Sequence, residues 1–347
     1  MRREEKVADG GPPLVLFRFR CNIRSVTSRT PPSLALHLAF VGATLLATAA
    51  LSEGVAEAYC RTTTVLPPSS YDPRKSCWTD GKALFWKNRC LGFSVNQAAS
   101  KQVGYDDAVD LVTKGFAAWS SADCDGAGAH PSLEARNNGP VTCDVVEYSK
   151  NGARNQNAII FRESGWTAKD AYNTLGLTTV TFNVDTGEIY GFDMEINAAD
   201  HKLGWGATIA KDAYDLEGIF VHECGHAIGF AHDATSSSTM YPVQKPGDLA
   251  LRSLDTTDAK GMCEVYRPDG AHVLDANTVE QAPACDPTPR GGFITTCGDK
   301  APSDSGGCST GGAGGLSTGA TVAVATLISS VISRRRRRVG GSRAGSA

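Results

Sequence analysis

His222-Glu223-Cys224-Gly225-His226-Ala227-Ile228-Gly229-Phe230-Ala231-His232-Asp233 is the stretch that decides how this chain is read. It has the form H-E-x-x-H-x-x-G-x-x-H. On a helix, residues four apart share a face, so His222 and His226 can aim two imidazoles at one metal ion. Gly229 can take the left-handed backbone that ends a helix and turns the chain, which would return His232 to the same ion. Three neutral imidazoles leave a fourth tetrahedral position for water, the pattern of a catalytic rather than a closed structural zinc site. Glu223, beside the first ligand, is placed to take a proton from that water. Five fixed positions, each matched by chance in roughly one residue of twenty, make coincidence rare. Three of the chain's seven histidines fall inside the motif.

Eight residues after His232 comes Met240, in Ser238-Thr239-Met240-Tyr241-Pro242. Together with the histidine motif it resembles the metzincin zinc endopeptidases, whose Met turn supplies an apolar floor beneath the metal. Met-Tyr-Pro resembles the matrixin (matrix-metalloproteinase-like) branch. Relatives that use a tyrosine as ligand carry it two residues after the Met, where this chain has Pro242, so Tyr241 is not assigned to the metal. Leu254–Tyr266 is similar to the matrixin C-terminal helix, with Asp258 and Gly261 at matching places. Phe116-Ala-Ala-Trp119 resembles part of the first long helix, and Thr179–Phe182 and Gly187–Asn197 the strands before the active-site helix. The resemblance implies an α+β catalytic domain: a twisted mixed sheet, a long helix, the zinc helix and a C-terminal helix. It also implies that Pro242 and Val243 wall the pocket for the residue after the cut bond, and that the substrate is protein or peptide. The family's cysteine-switch propeptide is not visible. A second three-histidine zinc site is not expected, because His130, His201 and His272 are scattered. Asp193, Glu195 and Asp200 lie near where a calcium ion could bind, with solvated charges as the plainer reading. Asp233 is read either as an anchor for the zinc loop or as a turn former. Two other function classes remain open: an inert zinc-binding module, and a zinc hydrolase of a non-peptide bond.

The 347 residues carry a net charge of −3, which excludes a broad polybasic nucleic-acid surface. Leu34–Leu51 is an apolar run after an Arg-rich lead, and Ala56-Glu57-Ala58 fits a signal-peptidase site with Tyr59 as the mature start; an uncleaved anchor is the alternative. Ten of eleven cysteines follow residue 58, without paired C-x-x-C clusters, so disulfides in an exported protein are expected. The matrixin resemblance stacks the C-terminal helix on the zinc helix and so suggests Cys224–Cys263, with a buried free thiol as the alternative. Cys124 with Cys143, Cys77 with Cys90, and Cys285 with Cys297 are the other expected pairs. The expected segments are 1–58 lead and signal, 59–270 catalytic domain, 271–315 Gly/Pro/Ser/Cys-rich linker, 316–338 apolar segment plus arginines, and 339–347 tail. Cys308, the apolar run Leu316–Ile332 and Arg334–Arg338 resemble, in that order, a myxobacterial C-terminal sorting signal. A permanent membrane anchor is the plainer reading. Hydrophobic spacing predicts strands at 83–86, 91–95, 141–148 and 157–161, a helix over 105–120, a loop at 121–139, and a zinc helix starting near Asp215 with Asp215 or Asp212 as cap.

Overall fold

The computed structural model describes residues 59–166, 174–275 and 277–298, and the backbone of 322–325 and 332–333. The expected lead and signal segment, Cys308 and the arginine run lie outside the described residues, as does most of Leu316–Ile332. The six residues of that run and its border that are described form two short strands, Val322–Ala325 (β11) and Ile332–Ser333 (β12).

A six-stranded sheet has the order β11-β4-β5-β3-β1-β2. Its other strands are β1 (Cys90–Val95), β2 (Glu134–Asn137), β3 (Ala158–Arg162), β4 (Gly176–Asn183) and β5 (Ile189–Asn197). The pairs β1–β2, β1–β3 and β3–β5 are parallel, whereas β4 runs antiparallel to both β5 and β11. The first helix, α1, spans Tyr105–Ser120 as its spacing predicts, with Asp106 and Asp107 complementing its N-terminal dipole. A short parallel pair, β6 (Leu203–Gly204) and β7 (Tyr214–Asp215), leads into the histidine-motif helix α2, Leu216–Ala227, and α3 is Thr256–Val265. Both α1 and α2 lie on one face of the sheet: Phe116 stacks on Phe93 of β1 at 5.4 Å, and Phe220 meets Phe161 of β3 edge-on at 6.1 Å. Trp119 joins the two helices by donating its indole N–H to Val221 O at 2.8 Å.

The second face of the sheet explains the largest departure from the sequence reading. Side chains alternate along a strand, so while Ile159 and Phe161 face the helices, Ala158 and Ile160 form a separate apolar cluster with Val141 and Phe293. Residues 271–298 are therefore not a free linker. They form a hairpin, β9 (Ala271–Asp275) with β10 (Thr278–Gln281), and then a strap that covers this cluster. Backbone bonds from Asn155 N to Gly292 O (2.9 Å) and from Thr142 N to Thr295 O (2.7 Å) hold the strap, as do Cys90–Cys285 and Cys143–Cys297. In the chain-entropy picture each such long-range crosslink contributes about 4–5 kcal/mol.

The cysteine pairs correct all four sequence expectations. Cys224 is a buried free thiol, and Cys263 pairs with Cys124 instead. The reason is direction. The Cys224 sulfur points at α1, 3.1 Å from where a Cβ on Gly115 would sit, whereas Cys263 lies off the buried face of α3. Cys77 closes a local loop with Cys60, which leaves Cys90 and Cys143 for the strap. Two strand expectations also change. Ala83 and Phe85 make isolated bridges only, and beyond the Val141 bridge residues 142–148 are irregular.

In that irregular stretch the Glu147 N–H bonds Asp193 Oδ2 (3.0 Å) rather than a neighbouring strand, and Ala158 N–H bonds Asp193 Oδ1 (2.8 Å). Asp193 is fully enclosed, and burial pushes its carboxyl up to about 7 despite both donors. An unfolded Asp titrates near 4, so between those values the folded chain holds the extra proton and stability falls as pH rises. Asp193→Asn removes this titration. Urea midpoints at pH 4.5, 5.5 and 7 are expected to show wild type losing stability relative to the variant across that window; parallel profiles would place the titration elsewhere.

Candidate active site

The site begins at Asp215, the cap of α2, whose Oδ2 accepts the Gly218 N–H at 3.0 Å. Asp212, the other expected cap, pairs with Lys202 at the surface. About two turns into the helix, His222 and then His226 project from a single face with their Nε2 atoms 3.1 Å apart. The helix ends at Ala227, and Gly229 takes φ +98°, the left-handed turn expected of it. Phe230 N–H closes that turn on Gly225 O at 2.9 Å. The returning chain is then pinned by the segment after Tyr59: Thr62 N–H bonds Gly229 O, and Ala231 N–H bonds Cys60 O, both at 2.9 Å. This brings His232 to the other two rings, with centroids 5.2 Å from His222 and 4.8 Å from His226.

The hydrogen bonds define which ring nitrogens are free. His222 Nδ1 donates to Thr239 O (2.6 Å) and His226 Nδ1 to Phe230 O (2.9 Å), which leaves each Nε2 with a lone pair turned inward. His232 is half-buried, yet its Nε2 is enclosed without a partner. Burial drives His222 down to about 4 and holds His226 and His232 well below the usual histidine value. All three are therefore neutral near pH 7, the protonation state a metal ligand requires. One nitrogen from each lies within 4.8 Å of the other two. Three convergent lone pairs with no protein donor between them fit a single zinc ion.

Glu223 faces the sheet side of this centre. Its Oε2 accepts from the Thr178 hydroxyl at 2.6 Å, and its Oε1 is buried without a partner. Burial pushes the carboxyl up to about 8, against the opposing pull of Thr178. A cation among the three histidines would favour the ionised form. The fit is close: a Cβ on Gly176 would sit 2.6 Å from Oε1, so β4 carries glycine where it passes the carboxylate.

The Met turn lies beneath. Met240 is buried against Gly225 of α2. Its carbonyl accepts from Asp233 N (2.9 Å), while the Asp233 carboxylate accepts from Thr235 N (2.7 Å). The side chain thus forms a turn and the backbone anchors the zinc loop, joining the two roles weighed for this residue. From α3, Asp258 accepts Ser238 Oγ and Thr239 N, each at 2.7 Å. Because Thr239 O holds His222, Asp258 positions that imidazole through one peptide unit. Pro242 is buried, and Val243 opens the two-residue strand β8 (Val243–Gln244).

Other clusters do not compete for a metal. The two remaining groups of candidate ligands, Cys60–Cys77–Asp233 and Cys143–Glu147–Cys297, consist largely of cysteines already paired as disulfides. The carboxylates considered for calcium are otherwise engaged: Asp193 with backbone, Glu195 with Arg162, and Asp200 with Asn197. Among the described residues, His130, His201 and His272 do not form a second cluster. Thr178 and Arg252 were not foreseen from the sequence. Thr178 sits in Thr-Thr-Val-Thr, where nothing distinguishes one hydroxyl from the next. Arg252 pairs with Asp215 from 37 residues away.

A three-histidine helix and turn over a Met turn, beside a mixed sheet whose antiparallel strand faces the helix, is the metzincin-like architecture. The family model Peptidase_M10, Matrixin, matches residues 85–267, and the chain belongs to this family. It is 30% identical to Metalloendoproteinase 4-MMP of Arabidopsis thaliana over 92 residues, 26% of this chain and 25% of that protein. It is 29% identical to Metalloendoproteinase 1-MMP of the same plant over 104 residues, 30% of this chain and 28% of that protein. Matrix metalloproteinase-20 of Homo sapiens is 29% identical over 100 residues, 25% of this chain and 21% of that protein. The chain thus spans between a fifth and three tenths of the length of these relatives.

Proposed function

We propose that this protein is an exported zinc metalloendopeptidase acting on protein or peptide substrates. His222, His226 and His232 hold the metal through Nε2. Bound there, zinc polarises the scissile carbonyl and lowers the pKa of the attacking water towards about 7. Glu223, fixed by Thr178 through one oxygen and free at the other, takes the water's proton and passes it to the leaving amine. Met240 floors the centre, and Pro242 with Val243 walls the pocket for the residue after the cut bond. Four disulfides among the described residues support an oxidising, extracytoplasmic setting, at the cell surface or beyond it. The observation that carries the reading is the convergence of three histidines, two with Nδ1 committed to a carbonyl, together with the enclosed and unpartnered Glu223 Oε1.

Zinc content and hydrolysis of a quenched fluorescent peptide library, measured on the same full-length sample, test it. One zinc per chain and cleavage abolished by a chelator are expected. One zinc without hydrolysis of any peptide would favour an inert binding module. Hydrolysis confined to non-peptide esters would move the chain to another hydrolase class.

A further inference from the structure

Residues 60–78 form a loop that lies outside the stretch shared with the matrixin family, which begins at residue 85. Cys60–Cys77 closes it. Inside, Trp78 donates its indole N–H to Val65 O at 2.8 Å, and Tyr71 meets the Trp78 ring edge-on at 5.9 Å. Three prolines, Pro67, Pro68 and Pro73, stiffen it. The loop walls a cavity of about 450 Å³ whose lining includes Val65, Leu66, Tyr71, Trp78 and, on the far side, Ala231 and His232. A metal-site histidine is thus part of the cavity wall. Val65 and Leu66 are 45% and 49% exposed, two of the four large apolar side chains left that open among the described residues.

The position of the loop along the cleft follows from its anchors. At its base, Thr64 N–H bonds Lys82 O at 2.9 Å, and Lys82 Nζ reaches Asp185 O in the β4–β5 turn. The loop therefore stands at the Asn183 end of β4, while Thr178, which holds Glu223, lies five residues back along the strand. The outer edge of β4 accepts an extended chain in one observed direction. Val322–Ala325 of this same protein pairs antiparallel with it, Val322 opposite Asn183 and Ala325 opposite Val180. Farther along, Ile332–Ser333 runs parallel to Val243–Gln244. A peptide on that path enters beside the loop, passes Thr178 and Glu223, and leaves along Val243.

We propose that the disulfide-closed loop 60–78 forms a substrate subsite beside His232, which selects peptides with a large apolar or aromatic side chain two or three residues before the cut bond. This rests on the peptidase reading, and it gives that enzyme a second selective pocket sharing no residue with the Pro242–Val243 wall. The occupant is argued from continuity with the metal centre and from the antiparallel pairing on β4. Burying a Leu or Phe side chain there gives a preference of roughly 10–100-fold over serine.

The test uses full-length protein, wild type and the double variant Val65→Ser/Leu66→Ser, which alters side chains already open to solvent. Quenched peptides carrying Phe, Leu or Ser at the second and third positions before the cut are compared. Wild type is expected to favour Phe and Leu through KM, and the double variant to lose that preference while keeping its kcat/KM on the Ser peptide. A retained preference, or an equal loss on all peptides, overturns the subsite. Calorimetric binding of the N-acetylated Phe and Ser peptides separates the two ideas. If no peptide is cleaved but the Phe peptide binds wild type and not the variant, the subsite stands and the peptidase reading falls. If nothing is cleaved and neither peptide binds, both fall.

Discussion

Glu223→Gln is expected to keep its zinc and its fold and to lower kcat by on the order of 10²–10⁴, the share that a positioned general base usually supplies. The substitution is nearly isosteric. Its amide oxygen can still accept from Thr178, so the bond that orients the side chain at 2.6 Å survives while the proton acceptor is lost. Glu223→Ala also removes nearly all turnover, but it additionally empties the space beside Gly176 and leaves the Thr178 hydroxyl only its longer bond, 3.3 Å, to the main-chain carbonyl of residue 223. Comparing the two therefore separates proton transfer from packing. Zinc content, thermal midpoint and peptide hydrolysis on one preparation read all three quantities. Near-wild-type kcat in the Gln variant would remove Glu223 from the chemistry, and loss of zinc would make it a structural support of the metal loop instead.

How much of this was legible in the sequence depends on how local each interaction is. The histidine motif is: four residues along a helix and one left-handed glycine determine where three rings go, and His222, Gly229 and His232 stand as their spacing requires. The long helix over 105–120 is legible for the same reason, since Val112, Phe116 and Trp119 repeat at its period. The disulfides are not. Sequence proximity favours short loops, yet Cys90, Cys124 and Cys143 each pair with a residue 139–195 positions away: Cys90 and Cys143 hold the strap over a sheet face that the strand pattern reveals only once the helices are seen to occupy the other, and Cys124 reaches α3. The pairing of Cys224 with Cys263 foundered on a side-chain direction, which no spacing records. Strand 141–148 fails for a similar reason: its alternation is real, but Asp193, far along the chain, takes the Glu147 N–H that a neighbouring strand would need. Of the carboxylates read as calcium candidates, Asp193 and Glu195 belong to such non-local networks, whereas Asp200 bonds Asn197 three residues before it.

The second large effect comes from one of these long-range pairs. Asp215 is fully buried at the start of α2, where it caps the helix, and Arg252 bonds both of its oxygens, one of them at 2.7 Å through Nε. Arg252 also donates to Gly206 O at 2.9 Å, and Gln244, next to Val243, donates to Asp215 O at 3.2 Å. The Asp215 carboxylate thus joins the first turn of α2 to Arg252, while its main-chain carbonyl, through Gln244, holds the segment beside Val243. Removing only the guanidinium leaves a buried carboxylate with one backbone donor, the Gly218 N–H, a situation that costs about 3–5 kcal/mol. Arg252→Met is therefore expected to lower the unfolding midpoint by roughly 6–20 °C, at 2–4 °C per kcal/mol for a domain of this size. Asp215→Asn/Arg252→Met is expected to recover much of that loss, because the amide can still cap Gly218 and no charge remains to be desolvated. The order matters more than the size: a single variant as stable as wild type, or a double variant no better than the single, would mean that the pair is not what holds the helix start against the pocket segment. If the order holds, the double variant's ratio of kcat/KM between peptides differing after the cut bond reads whether the pair also sets the pocket, since stability is then restored while the link through Arg252 is not.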